Sequence, residues 1–199
     1  MARDATETRA RLLRAGEQRF ARDGVTGARL SDIVKDAGQR NDSAVGYHFG
    51  SRQGLLAAIV GKHMDVMEAR RVVPTEDASL AEVVRAIVVP TAELLRTDDG
   101  CDFLRITEQL AGWSGVGTGN LNAAIADTVI GGQLTRLEAI LAVRLGTALT
   151  RERTALLVTF LTAALAERAR ARGEGVRPRL GHERFVEHLV NVLTGALAA

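Results

Sequence analysis

Leu30-Ser31-Asp32-Ile33-Val34-Lys35-Asp36-Ala37-Gly38, then Gln39-Arg40-Asn41-Asp42, then Ser43-Ala44-Val45-Gly46-Tyr47-His48-Phe49 is the stretch on which the fold turns. Leu30, Ile33, Val34 and Ala37 recur at i, i+3, i+4 and i+7, the spacing of one buried stripe on a short helix. Gly38 ends that helix. Asn41 or Asp42 can cap a further helix through Phe49, in which Val45 and Phe49 share a face. Upstream, a first helix is expected over about 6–23. Asp4 and Glu7 have capping-box spacing, Leu12, Leu13, Gly16 and Phe20 lie on one face, and Gly24 stops it. Downstream, Gly50-Ser51 breaks the chain and Ser51 can cap a fourth helix. That helix carries Leu56, Ile59, Val60, His63 and Met67 on one side and runs to about residue 71. Three short helices and a long one, the second and third joined by a tight glycine-containing turn, describe a helix-turn-helix.

In such a unit the second helix buries its stripe, and the third exposes Arg40, Asn41, Ser43, Ala44, Tyr47 and His48 around Val45 and Phe49. Small and polar side chains at a helix start can approach base edges, and Arg, Tyr and His reach phosphates. The same pattern also suits a helical bundle with an ordinary polar surface.

The rest of the chain is helical by the same reasoning. Residues 74–78 form a linker, and Ser79 with Glu82 repeats the capping-box spacing. The helix they open carries Leu80, Val83, Val84, Ile87, Val88, Leu94 and Leu95, with Pro90 inside it and a kink expected there. Residues 97–100 read as a break, followed by a helix over about 102–113. The run Gly115-Val116-Gly117-Thr118-Gly119 has no preceding strand and no following Gly-Lys-Ser/Thr, so it reads as an interhelical loop and not a phosphate loop. Asn120 is expected to cap a long helix to about residue 145. A helix over about 150–172 turns Leu156, Leu157, Phe160, Leu161, Ala164 and Leu165 inward. The last helix, about 182–197, has the stripe Phe185, Val186, Leu189, Val190 and Leu193.

Bulk properties agree. The 199 residues are 46% hydrophobic and 25% charged, an ordinary globular composition with length enough for a core. Only three prolines occur, and alternating β-branched residues are scarce, which favours an all-α fold. Residues 1–60 hold ten Lys/Arg against seven Asp/Glu in a chain whose net charge is only +2. That mild N-terminal excess suits a phosphate-facing surface. The single cysteine, Cys101, allows no intrachain disulfide and sits easily in a reducing compartment. No apolar run has the length of a membrane span and the N-terminus has no signal-like apolar core, so a cytoplasmic protein away from membranes is expected.

Residues 10–60 go further. Phe20-Ala21-Arg22-Asp23-Gly24, Ile33-Val34-Lys35-Asp36-Ala37-Gly38 and Tyr47-His48-Phe49-Gly50-Ser51-Arg52-Gln53-Gly54-Leu55-Leu56 resemble, in order, the N-terminal signature of the TetR family of transcriptional regulators. That signature reads roughly Phe-x-x-x-Gly, Ile-Ala-x-x-Ala-Gly and Tyr-x-His/Tyr-Phe-x-Ser-Lys-x-x-Leu. The resemblance implies an all-helical homodimer: a helix-turn-helix DNA-binding domain over residues 1–50 and a larger ligand-binding and dimerisation domain over 51–199. It also implies that the helices over 150–172 and 182–197 form a four-helix dimer interface, and that a small molecule releases the protein from a palindromic operator. Its implied partners are double-stranded DNA, a second copy of the chain and an unidentified small molecule, with no cofactor. Three departures stand out. Ala28 and Arg29 occupy the place of a capping Thr or Ser, so Arg29 is expected to act as a phosphate clamp. The turn over 39–42 is about one residue longer than usual. Gly46 replaces the first tyrosine of the signature. Arg52 matches the family's Lys at the start of the fourth helix, where a helix N-terminus also favours an anion.

The implied pocket would draw on His63, Met67, Phe103, Gln109 and Trp113, with Arg105 and Glu108 nearby. Core packing is the simpler account of the apolar members, and an i, i+3 surface pair that of Arg105 with Glu108. No catalytic or metal constellation is legible: Cys101 lacks an activating partner, and His182-Glu183 with Glu187-His188 lacks the spacing that places two histidines over one metal. The alternative to a ligand-responsive repressor is a helical binding or scaffold protein that has lost sequence-specific DNA recognition.

Overall fold

A computed structural model describes residues 2–41, 43–111 and 123–199, all helix, turn and loop, with no strand among them. Helix α1 (Ala2–Asp23) starts earlier than its spacing suggested, so Asp4 lies inside the first turns and not at the cap. Gly24, at φ 88°, turns the chain out of α1. Helix α2 (Leu30–Asp36) buries Ile33 and Val34. It closes in a Schellman motif: Gln39 N–H donates to the Val34 carbonyl and Gly38 N–H to that of Lys35, both at 3.0 Å. Gly38 takes the left-handed position, φ 69°, that this motif needs.

Helix α3 (Ala44–Phe49) is set by the turn before it. The Asn41 side-chain oxygen accepts from Ser43 N–H at 2.9 Å and from the Ser43 hydroxyl at 2.8 Å, so Asn41 organises this helix start. Asp42 lies outside the described residues. Ser51 then caps α4 (Arg52–Glu68), its hydroxyl accepting from Gly54 N–H at 3.0 Å. Helix α4 ends three residues short of expectation. Of the expected face, Leu56, Ile59, His63 and Met67 are buried and Val60 is half-buried, and Leu55 is buried in addition.

Helix α5 (Leu80–Ala92) has the complete Ser79–Glu82 capping box. Pro90 cannot donate to the Ala86 carbonyl four residues earlier. That carbonyl is taken instead by Gln133 Nε2 at 3.3 Å, from a side chain with no exposure. Past Pro90 the chain tightens into a 3₁₀ turn, Glu93–Arg96. The break expected over 97–100 is confined to Thr97, which is extended. Thr97 caps α6 (Asp98–Leu110), accepting from Gly100 N–H at 3.1 Å, and Asp98 and Asp99 fill the first turn. Thr-Asp-Asp there is a helix start, since a capping hydroxyl and acidic first-turn residues meet the free N–H groups.

The long helix expected up to residue 145 is interrupted. A single turn, α7 (Ala123–Ala126), gives way to α8 (Val129–Ala142), capped by Thr128 and by the Glu68 carboxylate, which accepts from Val129 and Ile130 N–H. Asn120 and the glycine run at 115–119 lie outside the described residues. Helices α9 (Thr147–Gly173) and α10 (His182–Ala198) bury Leu157, Leu161, Leu165, Val186, Leu189, Val190 and Leu193. Leu156 and Phe160 do not face inward as expected: they are 59% and 49% exposed. The buried α9 residues occupy one face at three- and four-residue steps, and Leu156 and Phe160 form a second stripe beside it. Helix α6 runs through the interior and packs on both α1 and α9. No helix among the described residues is long and apolar enough to cross a membrane.

Candidate nucleic-acid interface

The first four helices present one polar surface. Arg29, Arg40, Asn41 and Ser43 are exposed, Tyr47 is 81% exposed, and Ala44 and His48 are half-buried. Beneath them Val45 is buried, so α3 is anchored on one side and free on the other. Gly46 adds no bulk to the outer face; a Cβ there would meet nothing within 4 Å. The Tyr47 and His48 rings meet edge-on, 4.9 Å between centroids. The side chains of Arg29 and Arg40 make no ion pair or hydrogen bond among the described residues. Arg29 is the N-cap residue of α2, in extended conformation and with no side-chain cap bond.

Neighbouring acids are neutralised. Arg19 joins α1 to α2 through Asp36 at 2.5 and 3.0 Å and reaches Asp23 at 3.2 Å. Hydrogen bonds from Arg19 hold the Asp36 carboxyl below its usual range, and those from Arg22 and Arg19 do the same for Asp23. Arg29 and Arg40, which have no such partner among the described residues, lie beside α3, and Arg9 sits 4.9 Å over the Phe49 ring of that helix.

Arg52 behaves differently from expectation. Its guanidinium donates to the Ala28 carbonyl at 2.5 Å and to the Val25 carbonyl, and lies 5.1 Å over the Phe20 ring. It is turned inward, bolting the α1–α2 corner, because two carbonyls and an aromatic face surround it there. Gly54 permits the tight α3–α4 corner: a Cβ on it would come within 1.9 Å of the Phe49 carbonyl oxygen.

The residues expected at a ligand site divide. His63 and Phe103 are buried and stack in parallel, 4.3 Å between centroids and 13° between planes. Met67 is buried one turn further along α4. Gln109 faces the α1–α2 corner instead: its Oε1 accepts from Val25 N–H at 2.7 Å. Glu108 pairs with Arg170 of α9 at 2.6 Å, and not with Arg105. Trp113 lies outside the described residues. A cleft of about 820 Å³ opens elsewhere, lined by Leu95 and Arg172 and by Arg168, Leu180, His182 and Phe185 around the α9–α10 connection.

Sequence reasoning missed the charged junction beneath the interface. Glu17 of α1, with no exposure, meets His63 Nε2 and, at 3.1 Å, Lys62 Nζ. Lys62 also bonds Asp99 of α6 at 3.0 Å, and Arg14 lies 3.7 Å from Asp102. Burial works against the Lys62 charge, but the bonds to Asp99 and Glu17 prevail and raise its pKa. In return, the Lys62 bond holds the Asp99 carboxyl at about 2. Burial pushes the Asp102 carboxyl up. The donor atoms of Glu17, His63 and Asp99 lie within 4.8 Å of one another, a spacing a metal ion could use, but the Lys62 ammonium already supplies the cation. A polar residue at one position of an otherwise apolar helix face was the only signal available for Glu17.

No protein-family model matches the chain, and no curated protein matches it by sequence. Solved structures do match, over nearly the whole of both chains. A TetR-family transcriptional regulator from Rhodococcus sp. is 17% identical, with TM-score 0.52, over 96% of this chain and 99% of that one. A transcriptional regulator from Rhodococcus sp. Rha1 is 23% identical, with TM-score 0.54, over 95% of each. HlyIIR, in a variant with one segment replaced by alanine, is 12% identical, with TM-score 0.54, over 96% and 98%.

Proposed function

We propose that this chain, which has the fold of the TetR-family regulators, is a homodimeric DNA-binding transcriptional repressor whose hold on a palindromic operator is relieved by a small molecule. One observation carries the reading: a short helix, α3, is pinned by Val45 and offers Ser43 and Tyr47 outward beside the half-buried Ala44, flanked by Arg29 and Arg40, which have no partner among the described residues. Small and polar groups at the helix start can meet base edges. The two arginines take phosphates, with Asn41 and His48 at the margins. Residues 1–50 form the DNA-reading unit and 51–199 the ligand-binding and dimerisation unit. Arg52 serves the first of these from within, by shaping the α1–α2 corner.

The exposed apolar residues support a dimer. Leu149, Leu156 and Phe160 on α9 and Val192 on α10 are all exposed, an arrangement that a second copy would cover. In that dimer two α3 helices enter successive major grooves roughly 34–36 Å apart. His63, Met67 and Phe103, between α4 and α6, are the residues proposed to sense the ligand, whose effect on DNA equals its preference for one of two arrangements of those helices.

The test is selection of duplexes from a random pool, followed by fluorescence anisotropy over a salt series. Tight, sequence-selective binding of two subunits per site supports the regulator. Weak binding, equal for selected and scrambled duplexes, overturns it in favour of a helical scaffold. The uncapped start of α2 and the inward-turned Arg52 are the features that such a scaffold would share.

A further inference from the structure

Glu108 and Gln109 are neighbours in the last turn of α6, and they grip different elements. The Glu108 carboxylate receives Arg170 of α9 at 2.6 and 3.3 Å. The Gln109 amide is fixed at both ends: Nε2 donates to the Arg105 carbonyl at 3.0 Å, and Oε1 accepts from Val25 N–H at 2.7 Å. Val25 is buried and follows Gly24, whose φ of 88° takes the chain out of α1. Among the described residues, Gln109 is the acceptor for that N–H, and a buried amide left without one costs free energy. The other side of the same corner is held by Arg52 of α4, through the Val25 and Ala28 carbonyls. Arg29, the N-cap residue of α2, comes next.

We propose that Gln109 is a positioning residue for DNA binding, a latch by which the state of α6 and α9 sets the α1–α2 corner and hence Arg29 and α2. The inference rests on the regulator reading given above. The path is short and contiguous: Arg170 of α9, Glu108, Gln109, Val25. A hydrogen bond of this length weakens steeply with displacement, so a slide of α6 by roughly an ångström releases the corner. The pairs Lys62–Asp99 and Arg14–Asp102 tie the earlier turns of α6 to α4 and α1; α9 grips α6 at Asp98 through Arg172 and at Glu108 through Arg170, and it is Glu108 that adjoins the Gln109 bond to the corner.

Two substitutions separate the latch from bulk stability. Gln109→Met keeps length and shape and removes the acceptor, and Gln109→Glu keeps an acceptor oxygen. Amide exchange followed by NMR without DNA is the first readout. The expected result is exchange at Val25 faster by about ten-fold in Gln109→Met, near wild type in Gln109→Glu, and confined to residues 24–28. Arg170→Met, which touches neither Val25 nor the α3 surface, raises Val25 exchange in the same direction. The second readout is anisotropy against the selected duplex: about ten-fold weaker binding for Gln109→Met, and recovery in Gln109→Glu. Unchanged Val25 exchange in Gln109→Met, exchange raised throughout α1, or failure of Gln109→Glu to restore binding overturns the proposal. An Arg170→Met protein with wild-type exchange at Val25 removes the link to α9. If the wild-type protein binds no duplex, the regulator reading falls, and the exchange data alone decide whether Gln109 holds the corner.

Discussion

Glu17 and His63, forty-six residues apart in the chain, meet in the interior between α1 and α4, with the His63 ring held flat against Phe103. A fully buried carboxylate with nitrogen partners on His63, Lys62 and, at 3.6 Å, Arg14 is stable only while they stay. Glu17→Ala leaves Lys62 and His63 facing a void, and unfolding in urea should show a loss of about 3–5 kcal/mol. Glu17→Gln, which keeps an acceptor, should lose less. Equal midpoints for wild type and Glu17→Ala would show that the pair adds nothing.

The same junction makes stability depend on acid. The Asp99 carboxyl is held at about 2, below its ordinary 3.8, so the folded state favours its charged form. That contribution is fully present above about pH 4 and is lost as pH falls through the folded value, since protonation removes the Lys62 partner. Asp99→Asn should therefore show a flatter stability profile than wild type between about pH 4 and 2, by circular dichroism of thermal unfolding. Profiles of identical slope would mean that solvent screening cancels the pair, as it does for many exposed ions.

Arg29 and Tyr47 should be separable by salt. If Arg29 is a phosphate clamp, Arg29→Ala weakens binding to selected and scrambled duplexes alike and lowers the salt slope by about 1. Tyr47→Ala, on the outer face of α3, should cost about 1–3 kcal/mol on the selected duplex and less on the scrambled one. A loss for Arg29→Ala confined to the selected sequence would make Arg29 a base reader.

The second apolar stripe of α9 is open to direct test. Phe160→Asp places a charge in the middle of the proposed dimer face and should leave a folded monomer in sedimentation at micromolar concentration. An unchanged sedimentation coefficient would move the interface elsewhere.

The helix-turn-helix was legible because its signals are local. Gly38, the Leu30–Ala37 stripe and Ser51 each do in the structure what their spacing predicts, whereas Asn41 is not the expected cap of α3 but holds the N-cap residue, Ser43. Ser79 and Glu82 were readable for the same reason. Thr97-Asp98-Asp99 misled because residues that start a helix are also those that make loops, and only the downstream packing of Cys101, Phe103 and Leu104 decides between them. Thr128 was hidden inside an otherwise continuous apolar pattern. Arg52, Gln109 and Glu17 were beyond reach. The partners by which they join separate helices lie 24 to 84 residues away, and no spacing rule encodes which carbonyl or amide a long side chain will find.

Pro90 and Gln133 carry a consequence for how α8 finds its place. A proline in mid-helix leaves one carbonyl, that of Ala86, facing the interior without a donor, and Gln133 is the α8 side chain that reaches it. The same amide nitrogen also serves the Val72 carbonyl, and its oxygen receives Arg71. Helices packed only by aliphatic side chains can slip one turn and still find tolerable neighbours. Here a slip would strand three polar groups at once, so the defect in α5 works as a keyway that admits α8 in a single register.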